Sequence, residues 1–204
     1  MVTVGLTGGI GTGKSFVLQV LRELGCYTMR ADELAREIVF SPDSKVRDKI
    51  ISALGPDICD PECGLKKERV AEIIFHDPVK RQYINRIVHP LVAKEQRRRI
   101  REIAKTRRHD FFIYESALLA EAGTWRRFDT VVVVYAAAEI QVQRLMARDG
   151  ISAEEANRRI QAQFPLKEKL RIADYTIDTS GEFEQTRQRT LETYALMRKD
   201  FHLD

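Results

Sequence analysis

Gly8-Gly9-Ile10-Gly11-Thr12-Gly13-Lys14-Ser15 is the stretch on which the reading of this chain turns. It matches G-x-x-x-x-G-K-[ST], the pattern of a loop that wraps phosphates, and it stands where that loop must stand. Val2–Leu6 before it reads as a short buried strand. Lys14–Leu24 after it reads as a helix, with Val17, Leu18, Leu21 and Leu24 at helical spacing and Gly25 as its stop. The glycines let backbone N–H groups close around an anion, and the helix N-terminus adds the positive end of its dipole. Lys14 then reaches the β- and γ-phosphates of a nucleotide and Ser15 ligates Mg2+. The nucleotide-contacting run is taken as Gly8, Gly9, Ile10, Gly11, Thr12, Gly13, Lys14, Ser15 and Phe16. The alternative is a glycine-rich turn capped by a helix.

Outward from the loop, strands and helices alternate. Cys26–Met29 reads as a second short strand and Ala31–Phe40 as a helix. Ser41-Pro42 is a cap followed by proline at a first helical position. The helix it opens carries Val46, Ile50, Ile51 and Leu54 and stops at Gly55. Another helix is expected near Lys67–Phe75. Asp77-Pro78 starts one more, which His89-Pro90 kinks or restarts before a basic helix with Ile100, Ile103 and Ala104 inward. Phe111–Glu115 and Thr130–Tyr135 read as strands, and the unbroken valines of the second imply burial on both faces, as in a parallel sheet. Ala137–Ala147 follows as a crossover helix. Ser152-x-x-Glu155 is a capping box that opens a charged helix to about Gln163. Tyr175–Thr179 is a last strand, and Phe183, Leu191, Tyr194, Met197 and Phe201 give the final helix an apolar stripe.

This order predicts an α/β protein, a doubly wound parallel sheet of about five strands. From Asp32 to Phe111 there are 79 positions without a strand, more than a simple crossover takes. Residues 35–108 are therefore read as an inserted helical subdomain that holds a second substrate. Residues 1–34, 109–143 and 170–204 form the nucleotide-binding core and 144–169 a lid, all within one domain.

The length of 204 residues suits one domain with such embellishments. Hydrophobic residues make up 44% and charged residues 31%, ordinary for a globular chain. The longest apolar run, Val131–Ala138, has eight residues, where a membrane helix needs about 20; no membrane association is expected. No secretory signal is visible, and three cysteines make no complete disulfide framework, which points to the cytoplasm. Cys59-x-x-x-Cys63 reads as two loop thiols rather than a metal pair. The net charge of +4 comes from 34 Lys+Arg against 30 Asp+Glu. Residues 94–108 alone hold eight basic and two acidic side chains, a local excess of six, so the rest of the chain is −2. That window has no aromatic residue for base stacking. It reads first as a solvated helix face, next as a general attraction for polyphosphates and last as a nucleic-acid footprint, so no nucleic-acid partner is expected. A monomer or small homo-oligomer is expected. Trp125 falls in a loop.

A switch-type GTPase would want D-x-x-G early and N-K-x-D late. The only downstream D-x-x-G is Asp178–Gly181, at the last strand, and N-K-x-D does not occur. A small-molecule kinase remains, with a nucleoside monophosphate kinase as one form of it. Asp32 follows the second strand, whose end shares an edge with the loop in a doubly wound sheet. It reads equally as the catalytic base that takes an acceptor proton and as a helix N-cap. Arg144, Arg148, Arg158 and Arg159 are the candidate lid cations, set to neutralise a transferring phosphoryl group or simply to face solvent. Glu115, ending the third strand, is a candidate to hold a Mg2+-bound water; Glu121 is a second carboxylate, and either is also suited to anchor an arginine. His89 reads as structural beside Pro90, with an acceptor contact as the alternative.

In order, these segments resemble the dephospho-CoA kinases. The resemblance covers the chain: Gly5–Ser15; Ala31-Asp32 with Ala35-Arg36; Phe75-x-Asp77-Pro78; Ile84-Asn85 through His89-Pro90-Leu91; Gln143-Arg144-Leu145 with Arg148-Asp149; Arg159-Ile160 with Ala162-Gln163; and Ala173-Asp174-Tyr175 with Ile177-Asp178 and Gly181. It implies ATP with Mg2+ as donor, the ribose 3′-hydroxyl of dephospho-CoA as acceptor, Asp32 as base and the inserted helices as the seat of the pantetheine-bearing substrate. Three positions depart from the family pattern: Arg30 stands for Asp, Glu115-Ser116-Ala117 for Asp-x-Pro, and Thr179 for Asn.

Overall fold

The computed structural model describes residues 1–41, 44–60 and 64–203. The sheet is built from β1 (Val2–Gly8), β2 (Tyr27–Arg30), and three later strands, with α1 (Lys14–Glu23) after the phosphate loop. Beyond β2 come α2 (Ala31–Val39), α3 (Ser44–Leu54), the two-residue strands β3 (Cys59–Asp60) and β4 (Gly64–Leu65), α4 (Lys67–His76) and α5 (Pro78–Thr106). Then follow β5 (Phe111–Glu115), β6 (Thr130–Tyr135), α6 (Ala138–Asp149), α7 (Ala153–Gln161), α8 (Leu166–Leu170), β7 (Tyr175–Asp178) and α9 (Phe183–Asp200). The main sheet runs β2-β5-β1-β6-β7 with every pair parallel. Five parallel strands joined by helical crossovers are the doubly wound α/β fold that the sequence predicts.

The chain divides into two compact units, 1–30 with 103–204, and 31–102. The second begins at Ala31, where α2 starts directly after β2, and it ends at Glu102 within α5. The sheet unit buries Val4, Leu6, Phe111, Ile113, Val132 and Val134 from the strands against Val17, Leu18 and Leu21 of α1 and Met197 of α9. These are the apolar runs of β1, β5 and β6, buried on both faces as parallel strands are. The helical unit has its own core of Val39, Ile50, Leu54, Ile58, Leu65, Val70, Ile84 and Val88.

Several details differ from the sequence reading. The hairpin β3–β4 was not expected, since two-residue strands carry no alternation to read. α5 is one helix of 29 residues running through Pro90, where proline withholds the N–H that the fourth carbonyl back would accept. Asp77 caps it, its Oδ1 accepting from Val79 and Lys80 N–H at 3.0 Å each. Its buried residues are Ile84, Val88 and Gln96, whereas Ala104, expected inward, is exposed. His89 is exposed rather than folded into the subdomain. α9 buries Thr186, Thr190 and Met197, and Phe183, expected in its apolar stripe, is 73% exposed. Pro42, the expected first residue of a helix, and Cys63 lie outside the described residues. The basic window is laced with acids: Arg98 pairs with Glu95 and Glu102, and Arg99 with Glu95 and Glu37. Trp125 lies in a single 3-10 turn, Thr124–Arg127, with the Arg126 guanidinium 4.4 Å over its ring.

Candidate active site

The loop from Gly8 to Ser15 joins the C-terminal end of β1 to the first turn of α1. Gly8 lies so close to β6 that a Cβ built on it would strike the Val134 carbonyl oxygen. Gly13, immediately before α1, sits at φ +75°, a left-handed conformation natural only to glycine. The loop thus turns tightly and approaches its neighbour strand with nothing but backbone. Lys14 folds over it, Nζ donating to the carbonyls of Gly8 (3.0 Å) and Gly9 (2.8 Å). Thr12, fully buried, donates its hydroxyl to Gly9 O at 2.9 Å. Ser15 is exposed in the first turn of α1, where backbone N–H groups have no helical partner. The ring of Phe16 packs 5.0 Å from that of Phe183.

Arg144, on α6, is in contact with this loop. Its Nη1 donates to Gly11 O (3.3 Å) and Thr179 Oγ1 (3.1 Å), and its Nη2 to Thr179 O (2.6 Å). Thr179 is itself buried, its hydroxyl 2.8 Å from Thr12 O and 3.1 Å from Tyr135 O. Arg144 and Thr179 therefore brace the loop from behind, across the ends of β6 and β7. Beside Arg144 a cavity of about 470 Å3 opens, lined by Ile140, Gln143, Ser180, Gly181 and Phe183 among others. The sequence offers no signal for this brace, because its members are 35 and 133 positions apart.

The other candidate cations are held by neighbouring acids. Arg148 is paired with Asp149 (2.7 Å), Arg158 with Glu155 (2.9 Å), and Arg159 with both Asp149 (3.2 Å) and Glu155 (2.9 Å). The hydrogen bond from Arg148 holds the Asp149 carboxyl below its usual range, and that from Arg159 does the same for Glu155. Just past α7, Gln163 turns its side-chain carbonyl onto the loop, accepting from Ile10 N–H at 2.7 Å. This contact, too, was missed by sequence reasoning.

At the same sheet edge, the parallel register sets Glu115 between Leu6 and Arg30. Glu115 is buried, and Arg30 Nε donates to its Oε2 at 3.2 Å. Glu121 does anchor a cation, but a lysine: Lys169 of α8, 1% exposed, donates to Glu121 Oε1 (2.6 Å) and Ala117 O (2.8 Å). Asp32 is exposed as the second residue of α2, two positions beyond the end of β2. It lies inside the first turn, not in front of it, and a carboxylate there also complements the helix dipole. In the helical unit, a cavity of about 510 Å3 is lined by Ala35, Val39, Phe40, Ile74 and Ile84, with Arg36 and Lys67 also on its wall.

Among the described residues no three His, Cys, Asp or Glu gather as a metal cage. Mg2+ that travels with a nucleotide needs none, since one or two protein oxygens suffice beside phosphates and water. The Ser15 hydroxyl and the Glu115 carboxylate are hard oxygen donors of that kind, so the residues fit it.

A parallel sheet with a glycine-rich phosphate loop at the end of its first strand, and a helical unit inserted after its second, defines the small-molecule branch of the P-loop kinase fold. The family model described as Dephospho-CoA kinase matches residues 2–185. The Dephospho-CoA kinase of Syntrophotalea carbinolica is 42% identical over 195 residues, 96% of this chain and 92% of its own. A crystal structure from Thermus thermophilus, 28% identical, superposes with a TM-score of 0.76 over 96% of this chain and 97% of its own. A dephospho-CoA kinase structure from Campylobacter jejuni, 23% identical, shares the fold with a TM-score of 0.67, covering 95% of each chain. The chain belongs to the dephospho-CoA kinase family.

Proposed function

We propose that this protein transfers the γ-phosphoryl group of ATP to the ribose 3′-hydroxyl of dephospho-CoA, giving coenzyme A. The observation that carries the nucleotide half is the phosphate loop itself, with Lys14 Nζ 2.8 Å from Gly9 O and already seated over it. The Gly8–Ser15 amides and Lys14 receive the β- and γ-phosphates. The cavity beside Arg144 and Phe183 takes the base of the donor. Bound Mg2+ neutralises charge on the phosphates, and Ser15 and Glu115, the latter through water, are the residues that would hold it. Asp32 accepts the proton of the acceptor hydroxyl. The apolar cavity of the helical unit, with Arg36 and Lys67, suits a ligand that is part hydrocarbon and part phosphate, as a pantetheine diphosphate is; His89, exposed on α5, contributes at most at its margin.

Arg148, Arg158 and Arg159 serve as lid cations by exchanging partners. Exposed ion pairs of the kind that hold them are worth only about 0–1 kcal/mol each, so a phosphoryl group outbids Asp149 and Glu155. Arg144 acts from its fixed place behind the loop. The reduced thiols Cys26 and Cys59 suit a cytoplasmic setting, and among the described residues no helix is long and apolar enough to cross a membrane.

The test is a product assay with Mg2+ and ATP, offering dephospho-CoA, nucleoside monophosphates or no acceptor in parallel. Coenzyme A is expected only with the first. ADP formed with a nucleoside monophosphate and no coenzyme A would show a different small-molecule kinase.

A further inference from the structure

Arg30 and Glu115 are cross-strand neighbours in β2 and β5, directly opposite in register. Glu115 is 5% exposed, and burial of an ionised carboxylate without a partner is strongly unfavourable. Its neighbour in β1 on the other side is Leu6, which offers no side-chain donor. Arg30 Nε at 3.2 Å supplies a charge-assisted bond to one carboxylate oxygen, Oε2. The Arg30 side chain is 35% exposed and its planar fork is rigid, so it holds direction as well as charge. Both residues end their strands, and β1, running parallel between β5 and β6, ends in the phosphate loop at that edge.

We propose that Arg30 is a positioning residue for phosphoryl transfer. By binding Oε2 it fixes the Glu115 carboxylate in rotamer at the sheet edge, so that this group can hold the water of a nucleotide-bound divalent ion. This rests on the role given to Glu115 above. In this role Arg30 acts through Glu115 and need touch neither nucleotide nor acceptor.

The experiment compares Arg30→Met, Arg30→Lys, Glu115→Gln and the double variant Arg30→Met/Glu115→Gln in full-length protein. Two readouts are taken: kcat and KM for both substrates, and Mn2+ binding in the presence of ADP by electron paramagnetic resonance. Arg30→Met is expected to lower kcat about tenfold and raise the half-saturating Mn2+ about fivefold, with both KM values within twofold. Glu115→Gln should do the same, Arg30→Lys should recover kcat to within about threefold, and the double variant should be no worse than Glu115→Gln. The double variant leaves no buried charge without a partner, so it remains informative if Arg30→Met folds poorly. Wild-type kcat and Mn2+ binding in Arg30→Met, or losses that multiply in the double variant, would overturn the proposal. If Glu115→Gln leaves both readouts unchanged, the metal role of Glu115 falls and this inference with it. If Glu115→Gln is impaired and Arg30→Met is not, only the role of Arg30 falls.

Discussion

Asp32 and Lys14 separate the two halves of the chemistry. Asp32→Asn keeps the shape of the side chain and its place in the first turn of α2 but removes the base. We expect kcat to fall by about 10²- to 10⁴-fold, the usual yield of general-base catalysis, with ATP affinity preserved in a fluorescent-nucleotide titration. A variant with unchanged kcat would leave Asp32 as a residue that only complements the helix dipole. Lys14→Met removes the cation over the loop, and kcat should drop on the order of 10²- to 10³-fold, as when a single charge-stabilising donor is lost; near-normal transfer in a rapid-quench assay would contradict the phosphate-loop assignment. The loop was legible because its glycines, lysine and serine are contiguous and each has a physical task. Arg144 reads in the sequence as a candidate lid cation, whereas its place as a brace could not be read, since its partners Gly11 and Thr179 are brought to it only by the fold. Thr179 is committed to Thr12, Tyr135 and Arg144.

Among the elements, β5 and β6 have the boundaries the sequence suggests, because apolar runs flanked by polar residues leave little choice. The helix α8 has five residues, too few for a period to show. At His89-Pro90 the sequence leaves a kink and a restart both open, and α5 runs on through Pro90 as one helix. In the positive window of α5, Arg98 and Arg99 are held by acids. The hydrogen bond from Arg98, chiefly, holds the Glu95 carboxyl down to about 2 from an ordinary 4.5, with Arg99 adding to it. The folded pKa lies below the unfolded one, so this contribution is present above about pH 4.5 and is lost as the pH falls toward 2. Thermal unfolding of Glu95→Gln should therefore approach that of the parent protein on acidification through that window, while near neutrality the difference stays within about 1 kcal/mol, as for other partly exposed pairs. A gap that widens on acidification would contradict the pairing.

For the molecule as a whole, the stretch between Asp32 and Phe111, in which the sequence suggests no strand, raises the expectation of an inserted helical unit, but nothing in it points to the ties within the sheet unit. Lys169 is one of these ties, joining α8 to the connection after β5 through Glu121 and Ala117. The pair is asymmetric, with Lys169 1% exposed and Glu121 23%. Removing the acid leaves a buried ammonium with a neutral carbonyl, Ala117 O, but no counter-charge, whereas removing the lysine leaves a carboxylate that water can reach. We expect Glu121→Gln to lower stability by about 3 kcal/mol or more, near the range for breaking a buried pair, and Lys169→Met to lower it by less; urea unfolding in which the order is reversed would refute the asymmetry.

The same connection carries Trp125, four residues beyond Glu121 and the single tryptophan of the chain. With the Arg126 guanidinium over its indole, its emission reports one place and no other. The protein therefore has a built-in optical probe: a change in the surroundings of this connection would show as a change in intensity or wavelength, with no label attached.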